Sequence, residues 1–191
     1  WLESDRMLSL AFSKKSLEVQ RNVVIEEFNQ RYLNQPYGDV WLLLRPLVYK
    51  NHPYQWATIG KSVDHIKDAT LEDVKQFFFS HYGPNNAILS VAGNIDPKEV
   101  FRLAEKWFGP IEKREETKKA LTPEPIQTEA RRQTVYRNVP YPSLYMAFVM
   151  PGRHSLDYQT TDLISDILSN GKSSRLYRKL VQEKHQFSEI N

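Results

Sequence analysis

The stretch LEVQRNVVIEEFNQRY, residues 17–32, decides how the rest of the chain is read. Its apolar residues recur at helical spacing, which predicts a helix from Leu17 to Leu33 ended by Asn34, Gln35 and Pro36. Gln20 and Glu27 are separated by about two helical turns and so stack on one side. Val24 lies between them and Arg31 beyond, while Glu26 is rotated roughly 100° away toward solvent. On this reading Glu27 faces the side that a packed helix buries. A carboxylate there is costly unless it meets a cation, a donor or a metal. A Glu in a charged helix is ordinarily a solvated group or half of a weak ion pair, so the surrounding sequence has to decide.

Outward from this helix, Trp1 to Phe12 reads as the end of another, and Val40 to Tyr49 as a third with Pro46 kinking it. His52 and Pro53 mark an extended turn. Thr70 with Asp73 forms a capping box for a helix through Tyr82, in which Phe77, Phe78 and Phe79 are expected in the core. Ala87 to Gly93 is short and apolar and reads as a buried strand. Asp96, Pro97 and Glu99 open a helix that Gly109 and Pro110 end. Glu112 to Arg131 is a charged, Pro-containing linker. Gln133 to Val139 and Leu144 to Val149 read as strands, Asp157 starts a helix ending near Gly171, and Ser173 caps a last helix through Glu183. The NGKSS segment, residues 170–174, is not a phosphate loop, because it has one glycine and no strand in front of it. The expected fold is α+β, with helices packed on a mainly antiparallel sheet in parts of two structurally similar domains. The domain boundaries are 1–111, a linker at 112–131, and 132–191.

Several segments in order carry a resemblance: QRNVVIEEF (20–28), HPY (52–54), IGK (59–61), YGPNNAILSVAGNID (82–96) and NGKSSRLYRKL (170–180). Together they resemble the pitrilysin/insulinase (M16) family of zinc metallopeptidases across nearly the whole chain. In that family an HxxEH motif supplies two His ligands and a general base, and a Glu on a downstream helix completes the zinc site. The resemblance makes Glu27 the metal ligand and places Gln20 where a supporting Glu is usual. It implies Zn2+ as the cofactor of the full-length protein. No HxxEH or HExxH occurs here. The five histidines, His52, His65, His81, His154 and His185, are scattered singly. The motif is therefore expected upstream of Trp1, and the chain is expected to be an inactive fragment that holds no catalytic zinc alone. Family members acting on peptides carry an Arg and a Tyr just after the SSRL helix, at positions matching Val181 and Ser188. Neither residue makes the same hydrogen bonds. The resemblance thus implies a dimer acting on a peptide or small protein substrate; homodimer and heterodimer both stay open, and in the heterodimer a paralogous subunit supplies that Arg and Tyr. The alternatives are a non-catalytic partner subunit of the same family and a metal-free helical interaction module.

Composition narrows the classes further. The 191 residues are 40% hydrophobic and 12% aromatic, enough for a sizeable core. A formal net charge of +3, with acids and bases interspersed, gives no nucleic-acid-binding face. A mean hydropathy of -0.58, with no apolar run near 20 residues, gives no membrane-spanning segment. The absence of cysteine removes disulfides, thiolate catalysis and Cys-ligated zinc together.

Overall fold

The computed structural model describes residues 1–115 and 120–190. It divides into two compact units, Trp1–Tyr145 and Met146–Asn191. Of the expected linker, residues 116–119 lie outside the described set. Among the described residues, no helix is long and apolar enough to cross a membrane.

Among the described residues the first unit holds six α-helices: α1 (Leu2–Leu8), α2 (Lys14–Phe28), α3 (Val40–Val48), α4 (Val63–Asp68), α5 (Leu71–His81) and α6 (Pro97–Phe108). Each boundary has a local cause. Ser13 caps α2 by accepting the Ser16 N–H at 3.1 Å. At its far end α2 widens into a π-helical turn over Asn29–Leu33. Thr70 accepts the Asp73 N–H while Asp73 takes the Thr70 N–H at 2.8 Å, the expected capping box of α5. Asp96 caps α6 through the Lys98 N–H, with Pro97 in the first turn, where its missing N–H costs nothing. Glu99 pairs instead with Arg102, so α6 has a cap but no box.

The expected antiparallel sheet is not there. Among the described residues no strand forms, and the sole pairing is an isolated antiparallel bridge between Ala57 and Gly60. The fold is helical, which corrects the α+β assignment. Residues 87–93, 133–139 and 144–149 have the composition of strands, but a strand is stable only when a neighbour takes its backbone N–H and C=O groups. Without such neighbours their side chains stay outside: Ile88 is 97% exposed and Phe148 85%.

The core of the first unit is small. Phe28, Ala57, Phe78 and Ile111 are its buried hydrophobic residues. Phe12 meets Phe78 edge-on with centroids 5.4 Å apart, and Tyr82 stacks on Phe78 at 5.4 Å. Of the three consecutive phenylalanines only Phe78 is interior. Phe77 and Phe79 are more than half exposed, because three successive helical positions cannot share one face.

Arginines tie the helix ends together. The last carbonyls of a helix have no partner within it, and a guanidinium can satisfy them while complementing the negative end of the dipole. Arg21 of α2 ion-pairs with Glu18 and donates to the Ala69 carbonyl just past α4. Arg131 donates to Leu47 and Val48 at the end of α3, at 2.7 and 3.2 Å. Arg114 donates to Met7 of α1 at 2.7 Å and to Phe78 of α5 at 3.2 Å, with its guanidinium over the rings of Phe78 and Phe79. A further long-range tie joins Tyr37, in the left-handed region at φ 61, to Tyr141. The Tyr37 hydroxyl donates to the Tyr141 carbonyl at 2.7 Å and accepts its N–H at 3.2 Å.

The second unit holds α7 (Leu156–Ser169), capped by Ser155, and a π-helical segment over Tyr177–Glu183. Ser155 rather than Asp157 is the cap. Ser174 is buried at the turn between the two.

Candidate functional site

Glu27 is the penultimate residue of α2. The inward-facing residues of that helix are Leu17, Arg21, Val24, Ile25 and Phe28, which recur at helical spacing and include the buried Phe28. Glu27 and Gln20 both lie outside this stripe and are exposed. The buried stripe thus differs from the expected one, and Arg21 lies on it, donating to the Ala69 carbonyl.

Glu27 opens onto a shallow cleft of about 250 Å³ that it lines with Gln30, Arg31 and Gln35. The π-helical turn over Asn29–Leu33, which follows α2, contributes Gln30 and Arg31 to this cleft. Such turns are rare and occur frequently at functional sites. Gln35 closes one side by donating to the Gln30 carbonyl at 2.7 Å. Among the described residues the Glu27 carboxylate has no hydrogen bond or ion pair, and Arg31, one turn on, does not reach it.

The test for zinc is one of donors. A catalytic zinc takes three protein ligands and keeps one position for water. An exposed, unpaired carboxylate in an open cleft suits one of the three. The described residues bring together no group of three His, Cys, Asp or Glu side chains. His65 sits on α4, which packs against α2, and His81 ends α5 with its ring stacked on Phe77 at 4.3 Å. His52 is in the turn after α3, where its Nδ1 accepts the Tyr54 N–H at 3.2 Å. In the second unit, Val181 is half-buried in the π-helical segment and Ser188 is exposed beyond it.

The turn at His52 contains a feature that the sequence reading missed. Three consecutive backbone N–H groups, of Lys50, Asn51 and His52, donate to the Glu124 carboxylate at 2.5, 2.8 and 2.8 Å. Partial burial pushes the Glu124 carboxyl up, but the three N–H donors and the nearby Arg131 charge outweigh it and hold it below its ordinary value. No sequence signal marks this pairing, since Glu124 looks like one more charge in a polar stretch.

Residues 68–191 match the family model described as the Peptidase M16 inactive domain. The chain is 34% identical over 187 residues to the zinc protease PqqE of Helicobacter pylori, covering 96% of this chain and 42% of that protein. It is 26% identical over 109 residues to the mitochondrial-processing peptidase subunit beta of Caenorhabditis elegans, covering 56% of this chain and 23% of that one. A crystal structure of a protease from Helicobacter pylori resembles it with a TM-score of 0.75 at 30% identity, covering 97% of this chain and 46% of the other. The chain thus spans less than half the length of these relatives.

Proposed function

The chain belongs to the M16 peptidase family, and on that premise we propose that it is part of a zinc-dependent endopeptidase in which Glu27 is one of three protein ligands to the metal. The observation that carries this is the free Glu27 carboxylate at the π-helical turn, in an open cleft with no competing partner among the described residues. Relatives named as zinc proteases support it. Bound zinc supplies a polarised water and a polarised scissile carbonyl. Glu27 contributes one negative charge and one oxygen donor, and the rest of the ligand set comes from residues outside those described. Gln20 stands two turns before Glu27 and carries an amide where a charge is usual, so its part is hydrogen bonding to a neighbour rather than electrostatic.

In this proposal Trp1–Ile111 closes the metal-bearing domain, residues 112–131 connect, and residues 132–191 open a second domain. Glu27 lies ahead of the residues that match the inactive domain. Val181 and Ser188 cannot orient a peptide as Arg and Tyr would, so a paralogous subunit supplies that pair in a heterodimer. The relatives named as peptidase subunits favour this arrangement. A second reading, a non-catalytic partner subunit, is favoured by the inactive description of the matched domain.

Zinc analysis of the dialysed full-length protein beside Glu27→Gln separates the two readings. Near-stoichiometric zinc that the variant loses supports the ligand role. Equal zinc in both, or none in either, removes it. Peptide cleavage by the full-length protein without a partner would overturn the heterodimer.

A further inference from the structure

We infer that the Lys50–His52 turn is a carboxylate-binding site, which Glu124 occupies from within the chain and which a peptide carboxylate takes when residues 123–131 lift away. This rests on neither zinc nor Glu27. Successive backbone N–H groups in a turn form a concave anion site, and here three of them converge on one carboxylate. The boundaries of the donor set are covalent and local. Pro53 has no N–H, and the next one, on Tyr54, is already taken by His52 Nδ1. Lys50 adds no side-chain charge to the site, because its ammonium turns back to the Pro46 carbonyl at 2.7 Å.

The turn also has contacts that do not involve Glu124. The His52 ring packs on Tyr54 at 4.3 Å and on Tyr49 at 5.9 Å, and Tyr49 meets Tyr54 edge-on at 5.6 Å. These ring contacts act on the turn independently of Glu124, as a binding site rather than a mere internal link requires. The occupying segment has neither helix nor strand. It holds the end of α3 at two charged points, Glu124 on the N–H groups and Arg131 on the Leu47 and Val48 carbonyls, with a weaker tie from Asn51 to the Pro123 carbonyl at 3.4 Å. Pro123 and Pro125 fix the backbone on either side of Glu124, so the carboxylate is presented stiffly. The segment acts as a strap whose acidic residue mimics a peptide carboxylate.

Amide hydrogen exchange and NMR of the chain, with Glu124→Gln and Glu124→Ala, test this. Both variants should speed exchange at Lys50, Asn51 and His52 by about tenfold or more, while the Tyr54 amide is unchanged. The probes are an N-acetylated trialanine with a free C-terminus, its C-terminal amide, and an amidated acetyl peptide with one Glu side chain. In Glu124→Ala, the free-carboxylate peptide should restore protection and shift the three amide resonances downfield, and the neutral amide should not. Binding by the Glu-containing peptide as well would assign the site to side-chain and terminal carboxylates alike; binding by the first alone would assign it to chain ends. Wild-type protein should need at least about tenfold more peptide than Glu124→Ala. The inference is overturned if Glu124→Gln leaves exchange unchanged, if the neutral amide binds equally, if no carboxylate peptide binds Glu124→Ala, or if Tyr54 exchange rises with the other three, since Glu124 would then be holding the turn together.

Discussion

Replacing Arg114 with Ala removes the side chain that joins α1, α5 and the segment after α6. Its guanidinium donates to the Met7 and Phe78 carbonyls and lies 4.5 and 5.0 Å from the ring centroids of Phe78 and Phe79. A hydrogen bond from a charged donor contributes roughly 1.5–3 kcal/mol, and a cation over an aromatic face about 0.5–1 kcal/mol. Arg114 is only half-buried, so solvent screening takes about half of the sum, leaving about 2–4 kcal/mol. For a chain of this length that corresponds to a fall in Tm of about 4–16 °C. Scanning calorimetry of wild type, Arg114→Ala and Arg114→Lys measures it, with Lys113→Ala, on an exposed neighbour, as the neutral control. Lys keeps the charge over the rings but lacks the fork that reaches two carbonyls, so its Tm should fall between the other two. A shift under about 1 °C in Arg114→Ala would refute the argument, because Phe78 and Met7 would then be held by packing alone.

The remaining expectations are local. Thr70→Ala opens the capping box of α5 and should cost about 1 kcal/mol in urea denaturation. The Thr70 hydroxyl and, next, the Thr70 N–H hold the Asp73 carboxyl below its ordinary value of 3.8, against the opposing effect of burial. This contribution is complete above that value and disappears as pH falls through the lower folded one, so an acid titration of stability should be shallower in Thr70→Ala. Gly38→Ala places a Cβ 2.7 Å from the Tyr32 carbonyl oxygen, with the Gln35 carbonyl oxygen at 3.1 Å. Both are backbone atoms, so the turn must shift and the urea midpoint should fall by the equivalent of about 1–3 kcal/mol.

What could be read from the sequence followed the range of the forces involved. The Thr70–Asp73 box and the Asp96–Pro97 start are decided within four residues, and both stand where the sequence places them. Glu27 lies on the helix that the sequence predicts, but on its exposed side rather than its inner one, because which face packs depends on α4, far along the chain. The same limit accounts for the sheet. Local alternation in 87–93 or 144–149 says which residues could share a face, but pairing requires a partner that no window of sequence contains. The grip of three backbone N–H groups on Glu124 is a contact of the same long-range kind, and so are the ties of Arg21 to Ala69, of Arg114 to Met7 and Phe78, and of Arg131 to Leu47 and Val48. The π-helical turn after Glu27 escaped notice because NQRYL has no proline or glycine to mark a change of pitch.

The Tyr37–Tyr141 pair has a consequence in time. A single phenol hydroxyl both donates to and accepts from the backbone of one residue 104 positions away. Such a closure becomes favourable only after the intervening helices have shortened the distance between its ends. It therefore belongs to the last events of folding and the first of unfolding. Tyr37 does little to start the molecule folding, and what its two exposed bonds contribute acts on the rate at which the finished one opens, as a latch does on a door already shut.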